Sequence, residues 1–163
     1  FHLAAVSSVK KSMEQWLLTH GTNVTGTIVL LDAIRHLPKA IPMVYASSAA
    51  IYGDQASETT HEDLIPNPVS TYAVDKLSCE YYAKVASKLF SIPSLGCRFF
   101  NVYGPRQNPD SPYSGVISIF TCRMIQNKPV TIFGDGQQSR DFVYVADVVE
   151  GLMRSMTGLR RAK

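Results

Sequence analysis

The sequence predicts an α/β fold in which parallel strands alternate with helices. Short apolar runs at 1–6, 41–46 and 94–99 are typical of buried strands. Between them, the segments 22–37 and 70–89 carry apolar residues at helical spacing. This order of strand, helix, strand, helix and strand indicates a parallel sheet with right-handed crossovers.

The opening run, Phe1-His2-Leu3-Ala4-Ala5-Val6, is interpreted as the end of a strand that enters a turn of small residues. Small residues there let a ligand approach the backbone closely, and His2 is taken as a packing residue. Residues 10–15 are predicted to be an exposed connection, with or without a helical turn. The helix over 22–37 ends before a proline, and Asn23 in its first turn is typical of helix starts.

The strand at 41–46 runs into the small residues Ser47-Ser48-Ala49-Ala50. Open parallel sheets bind ligands just past the carboxyl ends of their strands. A polar loop over 54–69 follows, with solvated acids at Glu58, Glu62 and Asp63. The helix over 70–89 continues beyond Lys76 with an apolar stripe that favours either core or interface packing; it consists of Leu77, Tyr81, Val85 and Leu89.

The strand at 94–99 is followed by a predicted loop over 100–107. The remaining chain is predicted to begin with a linker at 108–114 and a helix at 116–126. A strand at 130–133, a turn at 134–138 and an extended segment at 139–145 follow. Asp147 is predicted to cap a final helix that continues through Arg154. This change of character places a boundary between parts 1–107 and 108–163.

Composition excludes several classes of protein. A net charge of +3 on scattered basic residues is too weak and diffuse for a nucleic-acid partner and mildly suits an anionic small molecule. No apolar run is long enough to span a membrane. Cys79, Cys97 and Cys122 are far apart and odd in number, which predicts reduced thiols in a cytoplasmic protein and no metal site.

Tyr72 and Lys76 are the first candidate chemical pair. They lie four residues apart on one helix, so their side chains share a face. A neighbouring cation favours the phenolate and lowers the pKa of a tyrosine, which can then take a proton from a hydroxyl. The alternative is an ordinary amphipathic helix with one exposed lysine.

Two further segments are predicted to reach the same sheet edge as this pair. Ser47 and Ser48 follow one strand, and Phe100 and Asn101 follow the next. A serine hydroxyl, a phenol and an amine at this edge form a proton-transfer set that can hydrogen-bond a sugar or alcohol oxygen.

Five motifs in order along the chain carry a resemblance to a known family. They are Phe1-His2-Leu3-Ala4-Ala5, Ser47-Ser48-Ala49-Ala50-Ile51-Tyr52-Gly53, Tyr72-x-x-x-Lys76, Arg98-Phe99-Phe100-Asn101-Val102-Tyr103-Gly104-Pro105, and Gly134-Asp135-Gly136 through Arg140-Asp141-Phe142. The chain resembles the extended short-chain dehydrogenase/reductase superfamily. Within it, the chain is most similar to NAD-dependent nucleotide-sugar 4-epimerases that act on UDP-glucose or UDP-N-acetylglucosamine.

The resemblance implies a partial NAD-binding Rossmann fold over 1–107 and part of a nucleotide-sugar-binding region over 108–163. Tyr72 would be the acid or base on the sugar 4-hydroxyl, Lys76 would bind the nicotinamide ribose and lower the pKa of Tyr72, and Ser48 would relay the proton. The implied cofactor site adds Ala4, Ala5, Asn23, Ser47 and Phe100. The implied UDP-sugar site adds Asn101, Val116, Phe133 within 131–133, and Arg140.

Ala49 and Ala50 separate the subfamilies that share these motifs. Related 4,6-dehydratases carry an Asp-Glu pair there, related decarboxylases a Glu and certain 3,5-epimerases a Cys. Alanines suit a 4-epimerase, which moves one hydroxyl proton through a transient 4-keto sugar. The alternatives are another nucleotide-sugar enzyme, a 4,6-dehydratase or a reductase, and a non-catalytic dinucleotide-binding scaffold.

The resemblance also bears on completeness and assembly. The chain starts on Phe1 and lacks the glycine-rich phosphate loop of the family, so we expect an internal fragment that is inactive alone. Members of the family commonly dimerise through two helices, here 22–37 and 70–89, with Tyr81, Tyr82 and Val85 as candidate contacts.

Overall fold

The computed structural model describes residues 1–55, 59–111 and 114–161, so the predicted solvation of Glu58 lies outside the described residues. The chain forms two compact units. The first comprises Phe1–Phe99 and the chain from Leu152 onward, and the second comprises Phe100–Gly151. The predicted division at residue 107 concerns cofactor and sugar binding, and it stays a prediction.

A parallel pair of strands forms the sheet of the first unit. Strand β1 (Met43–Ser48) pairs with β2 (Ser94–Phe99) in continuous register from Met43 opposite Ser94 to Ser48 opposite Phe99. On the other side of β1, the opening segment makes a single parallel bridge, in which His2 N donates to Val44 O and His2 O accepts from Ala46 N. Ser47 and Ser48 are thus the last residues of β1 rather than the start of the following turn, because the ladder to β2 continues through them.

The helices before β1 begin earlier than the sequence predicts. They are α1 (Val9–Glu14), α2 (Trp16–His20), a π-helical turn (Gly21–Thr25) and α3 (Gly26–Arg35). Residues 10–15, predicted to be an exposed connection with or without a helical turn, are mostly exposed, and the part up to Glu14 is helical. The Ser8 hydroxyl caps α1 by accepting from Lys11 N at 3.0 Å, and Ser12 is fully buried.

Polar residues line the buried side of α1 and α2, which explains why hydrophobic periodicity does not reveal these helices. Ser12 and Thr19 are fully buried and donate their hydroxyls to backbone carbonyls of their own helices. In contrast, Leu17 is 89% exposed. The usual pattern of apolar residues toward the core is therefore reversed over this stretch.

Helix α4 (Thr71–Phe90) confirms the predicted helix over 70–89. Ser70 caps it, since its hydroxyl accepts from Ala73 N at 3.2 Å, and the helix ends where Ser91 adopts a left-handed conformation. Ala83 and Ala86 pack on Leu31, Ile34, Met43, Tyr45 and Ile92 to form the core. The stripe that includes Tyr81, Val85 and Leu89 is exposed, so it does not belong to this core.

The second unit contains a second parallel pair, β3 (Asn101–Tyr103) with β4 (Phe142–Tyr144). The predicted loop at 101–103 is therefore wrong, because this strand finds its partner about forty residues later in the chain. Helix α5 spans Val116–Ile125. The predicted strand at 130–133 does not form, and residues there pair with no strand in the described part of the unit.

Helix α6 (Val145–Arg161) follows β4 directly. It starts before the predicted cap and ends well after Arg154, so Asp147 lies in its first turn. There the carboxylate interacts favourably with the helix dipole without capping the end. Across 1–55, 59–111 and 114–161, no helix is long and apolar enough to cross a membrane.

Candidate active site

Ser48, Tyr72 and Lys76 come together where β1 ends and α4 begins. Ser48 is the last residue of β1, and its hydroxyl accepts a hydrogen bond from Ala50 N at 3.2 Å. That bond starts a short 3-10 turn (Ala49–Tyr52). Tyr72 lies in the first turn of α4, where its phenol interacts with the Ser48 side chain. The structure thus brings the three residues predicted to be catalytic into one unit.

Burial controls the protonation of Tyr72. The side chain is nearly inaccessible, and desolvation raises the pKa of its phenol, while the hydrogen bond with Ser48 acts in the opposite direction. That Lys76 lowers this pKa stays a prediction. The Lys76 ammonium lies 5.9 Å from the centroid of the Tyr72 ring and is directed to another partner.

That partner is the backbone of β1. Lys76 Nζ donates to the carbonyl oxygen of Ala46 at 2.8 Å. Burial lowers the pKa of Lys76, and electrostatic interactions with Cys79 and Asp75 oppose this effect. Lys76 is therefore buried within the candidate site. This excludes the alternative of an ordinary exposed lysine on an amphipathic helix.

Asn23, predicted to line the cofactor site, holds the opening segment of the chain that carries Ala4 and Ala5. Asn23 is buried and does not cap a helix; its amide accepts from Val6 N at 2.8 Å and donates to Val6 O at 3.1 Å. It thereby fixes the turn that directly follows Ala4 and Ala5. His2 contacts Thr27 Oγ1 through Nε2 at 3.0 Å, in agreement with its interpretation as a packing residue.

These residues fit a dinucleotide. An ammonium group has three donors, and the hydrogen bond to Ala46 occupies one of those of Lys76, which leaves donors for the hydroxyls of a ribose. Ala4 and Ala5 present no large side chain, so a ligand can approach the backbone there. Ser47 contributes less, because its hydroxyl is directed to Glu80 at 2.5 Å.

The predicted UDP-sugar residues lie in the second unit. Asn101 Nδ2 donates to Asp141 O at 2.9 Å, so its side chain holds β3 to the segment that carries Arg140. Arg140 is exposed and donates to Ser139 O at 2.7 Å. Val116 is the first residue of α5, and Phe100 and Phe133 are exposed. Whether these side chains share a site with Tyr72 stays a prediction.

Two side-chain contacts beside the predicted residues are not predicted from the sequence. Asp75, between Tyr72 and Lys76 in the chain, is buried and contacts His20 Nδ1 at 2.8 Å. Glu80, four residues after Lys76, pairs with Arg98 near the end of β2. The signal for the second pair is an arginine inside an otherwise apolar strand. No cluster of three or more metal-ligating side chains occurs in the described part of the chain.

Comparison with known proteins agrees with this geometry. The model of the NAD dependent epimerase/dehydratase family matches residues 1–163. The UDP-glucose 4-epimerase of Mycolicibacterium smegmatis is 38% identical over 156 residues, which are 95% of this chain and 49% of that protein.

Solved structures give the same result. UDP-glucose 4-epimerase from Thermotoga maritima, with UDP-glucose, has a TM-score of 0.91 at 39% identity over 96% of this chain and 50% of its own. UDP-N-acetylglucosamine 4-epimerase from Methanobrevibacter ruminantium M1, in complex with UDP-N-acetylmuramic acid, has a TM-score of 0.92 at 34% identity over 96% of this chain and 50% of its own. The chain spans about half the length of these proteins.

The predicted fold class, a partial Rossmann fold with parallel strands and flanking helices, is confirmed by these likenesses. The match covers the segments that carry Ser48, Tyr72 and Lys76 as well as those that carry Asn101 and Arg140. This chain belongs to the NAD dependent epimerase/dehydratase family.

Proposed function

We propose that the protein is an NAD-dependent 4-epimerase of a UDP-sugar. The observation that carries this proposal is the buried Tyr72 phenol, which interacts with Ser48 beside a buried lysine on the same helix. Such a group can exchange one proton with one hydroxyl. The similarity to 4-epimerases and the absence of a side-chain acid or base at Ala49 and Ala50 favour epimerisation over dehydration.

Each residue has a separate task in this proposal. Lys76 holds the ribose of the cofactor, and Ala4, Ala5 and Asn23 form the wall along which it lies. Bound NAD supplies the hydride acceptor for the sugar carbon. Tyr72 exchanges the proton of the sugar 4-hydroxyl, and Ser48 orients that hydroxyl and the phenol by hydrogen bonds.

The raised pKa of Tyr72 sets a condition on this mechanism. Removal of a proton from a sugar hydroxyl requires the phenolate, and burial opposes its formation. A cation closer to the phenol oxygen favours the phenolate, and Lys76 is the cation that α4 supplies next to it. A shift of the Lys76 ammonium from the Ala46 carbonyl toward the phenol would therefore activate Tyr72.

On the substrate side, we assign the diphosphate to Asn101 and Arg140 and the nucleotide base to Val116 and Phe133. We assign Phe100 to the cofactor. An exposed guanidinium can bind a diphosphate through two parallel hydrogen bonds. Exposed apolar side chains at the start of α5 and at Phe133 offer surface for a base. The three substrate classes to compare are glucosyl, N-acetylhexosaminyl and glucuronosyl.

A substrate panel tests the proposal. Full-length protein is incubated with UDP-galactose, UDP-N-acetylgalactosamine and UDP-glucuronate, and products are identified by NMR. Formation of the 4-epimer without net change in NAD supports the proposal. A 6-deoxy-4-keto product would assign a dehydratase, net consumption of NAD(P)H a reductase, and NAD binding without turnover on any substrate a scaffold.

Assembly and location belong to the same proposal. We infer a homodimer that buries the exposed apolar side chains of helices 22–37 and 70–89, among them Val29, Tyr81, Tyr82 and Val85. We also infer a cytoplasmic location, because Cys79, Cys97 and Cys122 are all free thiols.

A further inference from the structure

An ion pair joins α4 to β2 directly behind the turn that carries Ser48. Arg98 Nη2 donates to Glu80 Oε2 at 2.8 Å, and Arg98 Nε donates to Glu80 Oε1 at 3.0 Å. This is a two-point contact between a planar guanidinium and a carboxylate, the most directional of the ion pairs that proteins form. Both side chains are mostly buried, so water screens the pair only weakly.

The same ion pair contacts the chain on both sides of Ser48. Before it, at the end of β1, the Ser47 hydroxyl donates to Glu80 Oε1 at 2.5 Å. After it, at the end of the 3-10 turn, the Tyr52 hydroxyl accepts from Arg98 Nη1 at 2.8 Å, and the guanidinium lies 5.0 Å from the centroid of the Tyr52 ring. Ser47 and Tyr52 are both buried. We call Ser47, Tyr52, Glu80 and Arg98 the Glu80–Arg98 clamp.

Ser48 lies between these two attachment points. Its peptide follows Ser47, and its hydroxyl starts the turn that Tyr52 closes. Two residues before Ser48, Lys76 Nζ donates to the carbonyl oxygen of Ala46. Lys76 and Glu80 from α4 and Arg98 from β2 thus hold the backbone on both sides of Ser48, at Ala46, Ser47 and Tyr52.

We propose that the Glu80–Arg98 clamp positions Ser48 for its hydrogen bond with Tyr72. The clamp residues are positioning residues, since Glu80 and Arg98 direct their polar atoms to one another, to Ser47 and Tyr52, and to the Glu62 carbonyl. The inference rests on the proposed role of Ser48 in proton exchange. The alternative is an ion pair that stabilises the fold and has no particular effect on Ser48.

A double-mutant cycle separates these two roles. In full-length protein, Ser47→Ala and Glu80→Gln are each made alone and together with Ser48→Ala, and kcat and KM for epimerisation are measured. Each single variant should lower kcat about tenfold with KM nearly unchanged, because a small misplacement of a reacting group lowers the rate. In the Ser48→Ala background, the same changes should lower kcat less than about twofold, since the group that they position is gone.

Outcomes of the cycle are distinct. If Ser47→Ala and Glu80→Gln lower kcat equally with and without the Ser48 hydroxyl, the clamp proposal is overturned and the proposed function stays intact. The same conclusion follows if kcat is unchanged in both single variants. If Ser48→Ala itself leaves kcat unchanged, the proposed role of Ser48 fails, and the clamp proposal fails with it. Glu14→Gln, which alters an exposed ion pair with Lys10, serves as the matched control and should leave kcat unchanged.

A second measurement does not depend on turnover or on stable Glu80 variants. Tyr52→Phe removes one hydroxyl and keeps the ring, so it should fold. The titration of the Tyr72 phenol is followed by phenolate absorbance, from which the titration of the matching Tyr72→Phe variant is subtracted. Its midpoint should move to higher pH in Tyr52→Phe and in Ser48→Ala, because both changes weaken the hydrogen bond that favours the phenolate. An unchanged titration in Tyr52→Phe alongside a shifted one in Ser48→Ala would overturn the proposal.

Discussion

His20 Nδ1 lies 2.8 Å from Asp75 Oδ1 and ties helix α2 to the helix that carries Tyr72 and Lys76. The Asp75 side chain is 2% exposed, and its second oxygen has no hydrogen-bond partner in the structure as described. The free energy of burying a carboxylate with one unsatisfied oxygen depends strongly on the partner that its other oxygen keeps.

His20→Ala should therefore destabilise the protein by about 1–3 kcal/mol, because it leaves the buried carboxylate without its partner. Denaturant unfolding measures this loss. His36→Ala is the control, since His36 contacts Asp32 on the exposed side of α3 and its removal should change stability by less than about 0.5 kcal/mol. Equal effects of both changes would contradict this view of Asp75.

Tyr72→Phe tests the proton-transfer role and removes only one oxygen. Turnover should fall by at least about 10²-fold, as expected for loss of a general acid or base. Steady-state kinetics on the substrate found by the panel measures the change. Tyr81→Phe alters an exposed phenol on the same helix and should leave turnover unchanged; comparable losses in both variants would reject a specific role for Tyr72.

Alkaline stability should depend on Tyr45. Burial raises the pKa of its phenol far above the ordinary value, and the negative charge of Glu80 adds to this effect. A group whose pKa is raised on folding gives stability that is complete below about pH 10 and is lost as pH rises toward the folded pKa. Tyr45→Phe should therefore show a smaller drop in unfolding free energy between neutral and strongly alkaline pH, and an unchanged drop would contradict this assignment.

Gly96→Ala should destabilise the first unit by about 1–3 kcal/mol, the usual effect of overpacking. A Cβ atom at this position in β2 would lie 2.6 Å from Cζ of Tyr45, a residue of the core. Gly158→Ala, in open space on α6, should instead stabilise by up to about 1 kcal/mol through helix propensity. Thermal or denaturant unfolding should show these opposite signs.

The proposed dimer can be tested on one face of α4. Val85→Glu places a charge among the exposed apolar side chains and should weaken association at least about tenfold, because burial of an unpaired charge costs more than 1.4 kcal/mol. Sedimentation velocity at several concentrations measures the change. Lys84→Glu, on the same helix, is the control, because it alters charge without removing apolar surface. If the unsubstituted protein sediments as a monomer, the dimer is rejected.

Much of the first unit could be predicted because its signals are local. The helix over 70–89 follows from a capping serine and apolar spacing, and the strand at 94–99 from one apolar run, and both are present. The proximity of Tyr72 and Lys76 follows from helix geometry alone. Helices α1 and α2 are not predicted, because the residues they bury, Ser12 and Thr19, are polar; Ser12 also accepts a hydrogen bond from the distant Thr71 hydroxyl.

The sequence by itself determined that α4 carries a phenol and an ammonium on one face, since that depends on spacing within one helix. Tertiary structure decided what those groups experience. Lys76 donates to the carbonyl of Ala46, burial raises the pKa of Tyr72, and residues 101–103, predicted to be a loop, form a strand that pairs with β4. Each of these effects arises between residues distant in the chain, and desolvation and pairing energies depend on which distant atoms are brought into contact.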